Sequence, residues 1–454
     1  MTRPLSALLK QIRAVMCVGW LCGVSITAAQ AQSLSEAVQI ALTQYPTILA
    51  AQARLDASES DIIRARGQHF PQVSWQGTTS NYSGVNSSGP QSGGLIPNDT
   101  WIQSPNVTLN LWSGWRIQSE VERSQAISSA RGHQQKITQD EVVLAVIEAY
   151  MNWARNIELV GLARKNVEAH RRILGDVQKI SSVDEGRRID EDQARVRFEN
   201  ASLSLQQRET DLAVSAQRLQ KMLLGALPKE PTGFTSVAGT LPLTPEDALL
   251  AINDSHPQIA VQISQVDAAK AGVRYARSGY SPTVDMSYGK QVTQGSGQGD
   301  YITQVVINAP IFSGGQTYGA VGSAENELVA VEQGLSEARL TVRERLLSAW
   351  PELLSARERK KLGASQTQTG QKLVTGYELQ FRVGRRSLLD LLTVQSDLYS
   401  YQSETVIATF DERIAHARVL AAMGKLASAY QASDTASAKT DSAKTASTKT
   451  ASAK

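Results

Sequence analysis

Leu379-Gln380-Phe381-Arg382-Val383-Gly384-Arg385-Arg386-Ser387-Leu388-Leu389-Asp390-Leu391-Leu392 lies between two long apolar-periodic runs. A glycine at the end of one helical pattern, a short polar link and a fresh apolar run predict a tight turn between antiparallel helices. Gly186-Arg187-Arg188 repeats the Gly-Arg-Arg element between two further helical patterns. Two copies of one turn predict a duplicated chain.

Working outward, the duplication is visible as register. Ala37 and Ala248, Pro46 and Pro257, Ile48 and Ile259, Asp56 and Asp267, Arg66 and Arg277, Pro71 and Pro282, and Val73 and Val284 all stand 211 positions apart. After a shorter loop the offset is 200, pairing Ser113-Gly114 with Ser313-Gly314 and Tyr150 with Trp350; at the turns Gly186 and Gly384 are 198 apart. The organisation expected is a first repeat over 32–228, a linker over 229–242 and a second repeat over 243–427.

Each repeat opens with a short amphipathic helix (Leu34–Gln44; Pro245–Asp254) that stops near a proline, since the residue before proline is driven out of the α region. A second helix follows, from Thr47 to about Gly67 and from Gln258 to about Ser278. Beyond Pro71 and Pro282 the pattern alternates with period two, predicting strands at about 72–82, 102–112, 282–292 and 301–312. Val107, Leu109 and Leu111 oppose Thr108 and Asn110; Val284, Met286 and Tyr288 oppose Asp285 and Ser287. Tyr301, Thr303, Val305, Ile307, Ala309 and Ile311 oppose Gln304 and Asn308, with Ile302 and Val306 breaking the pattern. About ten residues is the length of a tilted membrane-crossing strand. Gly/Ser/Asn-rich stretches, Ser83–Asn98 and Thr293–Asp300, join the pairs. Trp75, Trp101, Trp112 and Trp115 fall near strand ends, where an interfacial aromatic belt stands.

From about Trp115 to Ser181 and from about Gln316 to Arg382 the pattern stays helical, which at 1.5 Å per residue gives helices of about 100 Å. Pro351 is the one proline inside them and is expected to bend its helix or to sit at a locally opened turn. The returning helices, Asp190–Leu224 and Leu388–Leu426, carry coiled-coil seams at Leu205, Leu212 and Leu219, and at Leu391, Val394, Leu398 and Tyr401. Residues 428–454 are poor in large apolar side chains and read as a disordered Ala/Ser/Thr/Lys tail.

Arg3, Lys10 and Arg13, the apolar run Ala14–Ala28 and Ala29-Gln30-Ala31 compose a secretory signal over 1–31. Cys17 and Cys22 fall inside it, so the processed chain is expected to hold no disulfide and no cysteine-metal site. Three of the 46 basic residues go with the signal, leaving 43 against 43 acidic ones, and no basic patch interleaved with aromatics points to nucleic acid. His69, His133, His170, His256 and His416 lack metal spacing. No phosphate loop or nucleophile motif is present. Neither an enzyme nor a cofactor is expected.

Four strands cannot stand in lipid with open edges, because each unpaired backbone group there costs several kcal/mol. Closure requires more copies, and twelve strands leave room for a lumen. The fold expected is an α+β membrane protein, a trimeric twelve-stranded barrel continuing into an α-helical coiled-coil tunnel. The non-pore alternative is a periplasmic coiled-coil scaffold.

Leu-Ser-Glu-Ala…Tyr-Pro (34–46), Asn-Leu-Trp-Ser-Gly (110–114), Ala-Pro-Ile-Phe-Ser-Gly-Gly (309–315) and Val-Gly-Arg-Arg-Ser-Leu-Leu-Asp-Leu-Leu (383–392), in that order within two copies, resemble the TolC family of outer-membrane factors. The resemblance implies a homotrimer in outer-membrane lipid with a large periplasmic portion. It also implies docking to a periplasmic adaptor and to an inner-membrane ABC exporter or proton-driven pump. It places Val383, Gly384, Arg385, Arg386 and Ser387 at one periplasmic tip and Gly186, Arg187 and Arg188 at the other, where adaptors dock. Asp184-Glu185 departs from the family's lead-in at the first tip. Asp390 matches the first of two aspartates that ring the family's constriction, and Thr393 stands at the second. The twin of Asp390 is Asp190 by the offset of 200 and Asp192 by that of 198; either is a partner for Arg386 across the hairpins. The Gly-Arg-Arg tips favour type I protein secretion, with multidrug or small-molecule efflux as the alternative.

Overall fold

The computed structural model describes residues 33–81, 99–225, 227–232, 237–292 and 299–432. The signal segment, both strand-joining loops apart from residues 299 and 300, and residues 433–454 lie outside it.

Two short helices begin the halves. In the first, α1 (Leu34–Gln44), Ser33 and Glu36 form a capping box, the Ser33 hydroxyl accepting from the Glu36 N–H while the Glu36 carboxylate accepts from the Ser33 N–H. Tyr45 turns the chain in extended conformation, and α2 (Pro46–Gly67) starts on a proline whose missing N–H costs nothing at that position. The strands β1 (Gln72–Asn81) and β2 (Asp99–Trp112) lead into α3 (Arg116–Ser181) and, after a turn, α4 (Arg188–Met222). The second half supplies α5 (Pro245–Leu250), α6 (Pro257–Arg277), β3 (Thr283–Val292), β4 (Gly299–Asn308), α7 (Gln316–Arg382) and α8 (Leu388–Ala422). Starts of the long helices at 116 and 316, starts of the return helices at 188 and 388, and ends at 222 and 422 all differ by 200. The ends of the long helices, 181 and 382, differ by 201, so the first turn is one residue longer than the second, and the expected equivalence of Gly186 with Gly384 does not hold.

The sheet is an antiparallel meander in the order β1-β2-β3-β4. Its register sorts the side chains. Val73, Val107, Tyr288 and Thr303 share one row, Leu109, Met286 and Val305 another, and Trp112, Val284 and Ile307 a third. The opposite face carries Thr108, Ser287 and Gln304, and the Asn110 amide donates to Asp285 at 2.7 Å. A bulge between Asn110 and Trp112 puts Trp112, rather than the expected Leu111, in the apolar row. β4 also ends earlier than its alternation suggests, at Asn308. Pro310 has no N–H for a ladder, so Ala309 and Ile311 fall outside the strand and Ile311 is fully exposed.

Sharp corners connect sheet to helix. Gly114 (φ 60°) and Trp115 (φ 68°) are left-handed, as are Gly314 (φ 61°) and Gly315 (φ 86°) in the second half. At Gly114 a Cβ would sit 2.2 Å from the Ser281 Cβ, so only glycine fits that corner.

The long helices have 66 and 67 residues, about 100 Å each. α7 runs without interruption through Pro351. Near the sheet α3 packs between α2 and α6, with α7 beyond α6; towards the far end α3 packs between α4 and α8, with α7 beyond α8. One lateral edge is thus α2 and α4, the other α7. Residues 426–432, partly assigned to the tail by composition, are helical (α9), with Leu426, Ala427 and Tyr430 buried. They join a waist core of α1, α3, α8 and the linker around Tyr150. The Tyr150 hydroxyl donates to the Thr232 carbonyl and accepts from the Thr232 N–H, both at 2.9 Å.

Candidate functional site

The two hairpin tips lie at the far end of the long helices, about 100 Å from the sheet. They are built differently. At the second, Gly384 (φ 73°) ends α7: its N–H donates to the Phe381 carbonyl and that of Arg385 to the Gln380 carbonyl. This is a Schellman motif, and it requires the left-handed residue that glycine supplies. Ser387 then caps α8, its hydroxyl accepting from the Asp390 N–H at 3.2 Å. Asp390 stands in the first helical turn, where a carboxylate is favoured by the helix dipole.

At the first tip the Asp184 carboxylate accepts from the Gly186 N–H at 3.1 Å and starts a single 3-10 turn, Glu185–Arg187. Gly186 has no left-handed backbone and its role is not that of Gly384. The departure at Asp184-Glu185 therefore changes the turn type itself.

Glu191 closes this hairpin, a residue the sequence did not single out. It accepts from the Ser181 hydroxyl at 2.7 Å and pairs with Arg195 at 2.9 Å. The Ser181 hydrogen bond, followed by those of Arg195 and Gln178, holds the Glu191 carboxyl below its ordinary range despite the opposing desolvation. Ser181 and Glu191 are ten residues apart across a turn, so no periodic signal links them.

Asp190 and Asp390 are each the third residue of their helix, half-buried, whereas Asp192 is exposed. The structure thus makes Asp190 the positional twin. Within the chain Arg386 does not reach the other hairpin. Its guanidinium lies 4.5 Å from the Tyr377 ring centroid, donates to Gln380 at 3.1 Å and approaches Asp390 at 3.7 Å. Arg187 similarly stays with Asp190, at 4.0 Å. Each arginine braces its own tip because i,i+3 and i,i+4 partners are already within reach. Arg188 opens α4, and Arg385 is an exposed link residue.

Ile173, Val177, Ala194, Leu388, Leu391 and Leu392 form a small core that fastens the hairpins together. The surface beyond it is apolar at the very ends: Val183 is 90 % exposed and Val383 68 %, with Ile189, Leu379 and Leu389 also exposed. At the other end Trp75, Trp112 and Trp115 are exposed where strands meet helices, and the Trp112 and Trp115 rings meet edge-on at 5.4 Å. Trp101 lies near the start of β2, at the opposite end; its side chain is outside the described set.

Among the described residues no group of three or more His, Cys, Asp or Glu is placed to hold a metal. Among the described residues no helix is long and apolar enough to cross a membrane. A groove of about 500 Å³ beside Pro351 is lined by Glu148, Arg155, Glu352, Arg359, Asp411 and Arg418, and these charges pair with one another.

A two-faced four-stranded sheet carrying two helical hairpins of about 100 Å is the architecture of an outer-membrane channel subunit. The sequence model of the outer membrane efflux protein family matches residues 37–225 and 250–425, and the chain belongs to that family, the TolC family. The outer membrane efflux protein BepC of Brucella suis is 23% identical over 405 residues, covering 88% of this chain and 87% of BepC. The outer membrane protein TolC of Escherichia coli is 22% identical over 419 residues, covering 88% and 83%. The solved structure of CusC, a transmembrane channel, superposes with a TM-score of 0.74 at 17% identity over 87% of this chain and 92% of that one. These relatives are outer-membrane channel proteins rather than enzymes.

Proposed function

We propose that three copies of this chain close into a twelve-stranded barrel on a helical tunnel and serve as the outer-membrane duct of a tripartite exporter. One observation carries the reading: both lateral edges of the protomer are unpartnered and apolar. β1 and β4 each have a free ladder edge, which lipid does not tolerate. Below them the edge helices carry exposed heptad stripes, Ile189, Val196 and Leu203 on α4 and Leu340, Leu347 and Leu354 on α7. Joining the α7 edge of one copy to the α2/α4 edge of the next buries both stripes and pairs β4 with β1. The recurring offset of 200 and the two separate family matches support an origin by duplication. The test is mass measurement in detergent. A trimer is expected, and Leu347→Asp combined with Val196→Asp should yield monomers; a wild-type monomer overturns the reading.

The apolar, arginine-flanked tips take a periplasmic adaptor, and through it an inner-membrane ABC exporter or proton-driven pump. For cargo, the exposed charge at the tips favours polypeptides delivered by type I secretion. The similarity to BepC, an outer membrane efflux protein, favours efflux as the second reading. Deleting the gene separates them: loss of an exported protein with unchanged drug tolerance selects secretion, and the reverse selects efflux.

A further inference from the structure

We propose that Asp285 sets the ion preference of the pore, acting from the inner wall of the barrel and not from the periplasmic mouth; this rests on the closed-barrel reading above. The pairing register assigns the wall. Gln72, Thr108, Ser287 and Gln304 form one row on the polar face of the sheet, and on the same face Asn110 stands opposite Asp285. The other face carries the apolar rows of Val73, Leu109, Met286 and Ile307, and lipid admits only that one. The polar face therefore lines the lumen, and it is chiefly a wall of amides and hydroxyls.

Charge is scarce on this wall and of one sign. The four strands contain one basic residue, Lys290, and it belongs to the apolar face, in register with Tyr301. Asp285 stands at the end of the sheet that adjoins the helices; Asp300, on the same face, lies at the far end. Asp285 is exposed, and its carboxylate accepts from the Asn110 amide at 2.7 Å, beside the bulge in β2. An amide orients a carboxylate without neutralising it. Among the described residues no lysine or arginine forms an ion pair with Asp285. The mouth differs: Arg386 approaches Asp390 at 3.7 Å and Arg187 approaches Asp190 at 4.0 Å, so each carboxylate there has its own counter-charge. Of these three carboxylates, Asp285 alone meets a passing ion with no cation against it.

The size of the effect follows from the closed barrel. Twelve strands about 4.8 Å apart and tilted about 40° close at a backbone radius of about 12 Å, which puts an inward carboxylate about 8 Å from the axis. Three unit charges at about that distance, screened over about 10 Å at about 0.1 M salt, enrich a monovalent cation on the axis about threefold and deplete an anion as much. At about 1 M, where screening acts over about 3 Å, the enrichment is only about 1.2-fold.

The experiment is the reversal potential of the full chain in planar bilayers under KCl gradients centred near about 0.1 M and about 1 M. Asp285→Asn should lower the K+/Cl− permeability ratio at least about threefold at the lower salt and hardly at all at the higher. Asp390→Asn, whose charge Arg386 already offsets, should lower it less. Asp285→Cys can be altered after folding, since the two natural cysteines stand at 17 and 22, inside the expected signal. Sulfonatoethyl methanethiosulfonate restores a negative charge there and should recover the ratio; the trimethylammonium reagent should turn it towards chloride. Met286→Cys, on the lipid face, should respond to neither. Asp285→Asn keeping the wild-type ratio, Asp390→Asn lowering it more, Asp285→Cys ignoring both reagents, or Met286→Cys responding in its place overturns the proposal. A wild type without conductance overturns the channel reading itself, whereas a conducting one whose ratio ignores Asp285 overturns this proposal alone.

Discussion

Gly114 and Gly314 provide a matched test of the corners that join sheet to tunnel. Their φ angles are 60° and 61°, so an alanine at either pays the same left-handed penalty of about 1 kcal/mol. Their surroundings differ. Around Gly314 no atom lies within 4 Å of a built Cβ, while at Gly114 the Ser281 Cβ is at 2.2 Å and its hydroxyl at 2.9 Å. Backbone and β-carbon cannot rotate aside, so Gly114→Ala must displace the Ser278–Ser281 segment that leads into β3. Overpacking of that kind costs roughly a further 1–3 kcal/mol. The assay is the heat-induced loss of the detergent-solubilised assembly. Gly314→Ala should lower the midpoint by about 2 °C and Gly114→Ala by roughly two to four times as much, as the free energies scale. Ser281→Gly in the Gly114→Ala background removes the opposing Cβ and should bring the variant back to the Gly314→Ala level. Equal midpoints for the two single variants, or no recovery in the double, would refute the steric account.

Four other outcomes are expected. Tyr150→Phe removes a hydroxyl that serves both backbone groups of Thr232 and should destabilise the waist by about 1–3 kcal/mol, read as a lower midpoint without loss of secondary structure. Burial, opposed by the Ala427 hydrogen bond and helped by Glu141, raises Asp140 to about 6 from 3.8. A raised folded-state value stabilises fully below the unfolded one and is lost as pH rises through the folded one, a change of up to about 3 kcal/mol. The midpoint difference between wild type and Asp140→Asn should therefore move against wild type between pH 4 and about 7; a flat difference removes Asp140 from the pH dependence. Asp390→Ala should raise single-channel conductance or weaken cation block, because three symmetry copies of that carboxylate would set a negative field in a narrow mouth. If neither changes, the mouth is gated elsewhere. Finally, Gly384→Ala should cost about 1 kcal/mol, since its site is left-handed but sterically open, whereas Gly186→Ala should cost less.

The order of the elements was legible because each rests on local rules, but their limits were less so: the second short helix ends at Leu250 rather than Asp254, and the last return helix at Ala422 rather than Leu426. Proline at 46 and 257 starts helices, the alternation after residues 71 and 282 marks strands, and unbroken periodicity from 116 and 316 gives the long helices. The bulge at Leu111 escaped, since inserting one residue changes parity through cross-strand pairing and not through composition. The short β4 was readable in principle from Pro310, against an apolar alternation that continued past it. In the candidate site, Arg386 and Asp390 were visible, but their connection was not. The sequence suggested a bond across hairpins, and the nearer partner within the turn takes precedence. Glu191 left no sequence trace, because its partner Ser181 is brought opposite only by the hairpin.

What the sequence by itself determined is the plan: two similar halves, two-faced strands too few to close alone, helices of about 100 Å and turns rich in glycine and arginine. Tertiary structure alone decided that the two Gly-Arg-Arg turns are not one turn twice. Gly384 ends its helix in the left-handed region, and Gly186 sits in a 3-10 turn tied by Asp184. The same motif folds two ways because a turn's geometry is set by where the preceding helix runs out of packing and which side chain reaches its free N–H groups. Those are properties of neighbours, and no string of three residues carries them.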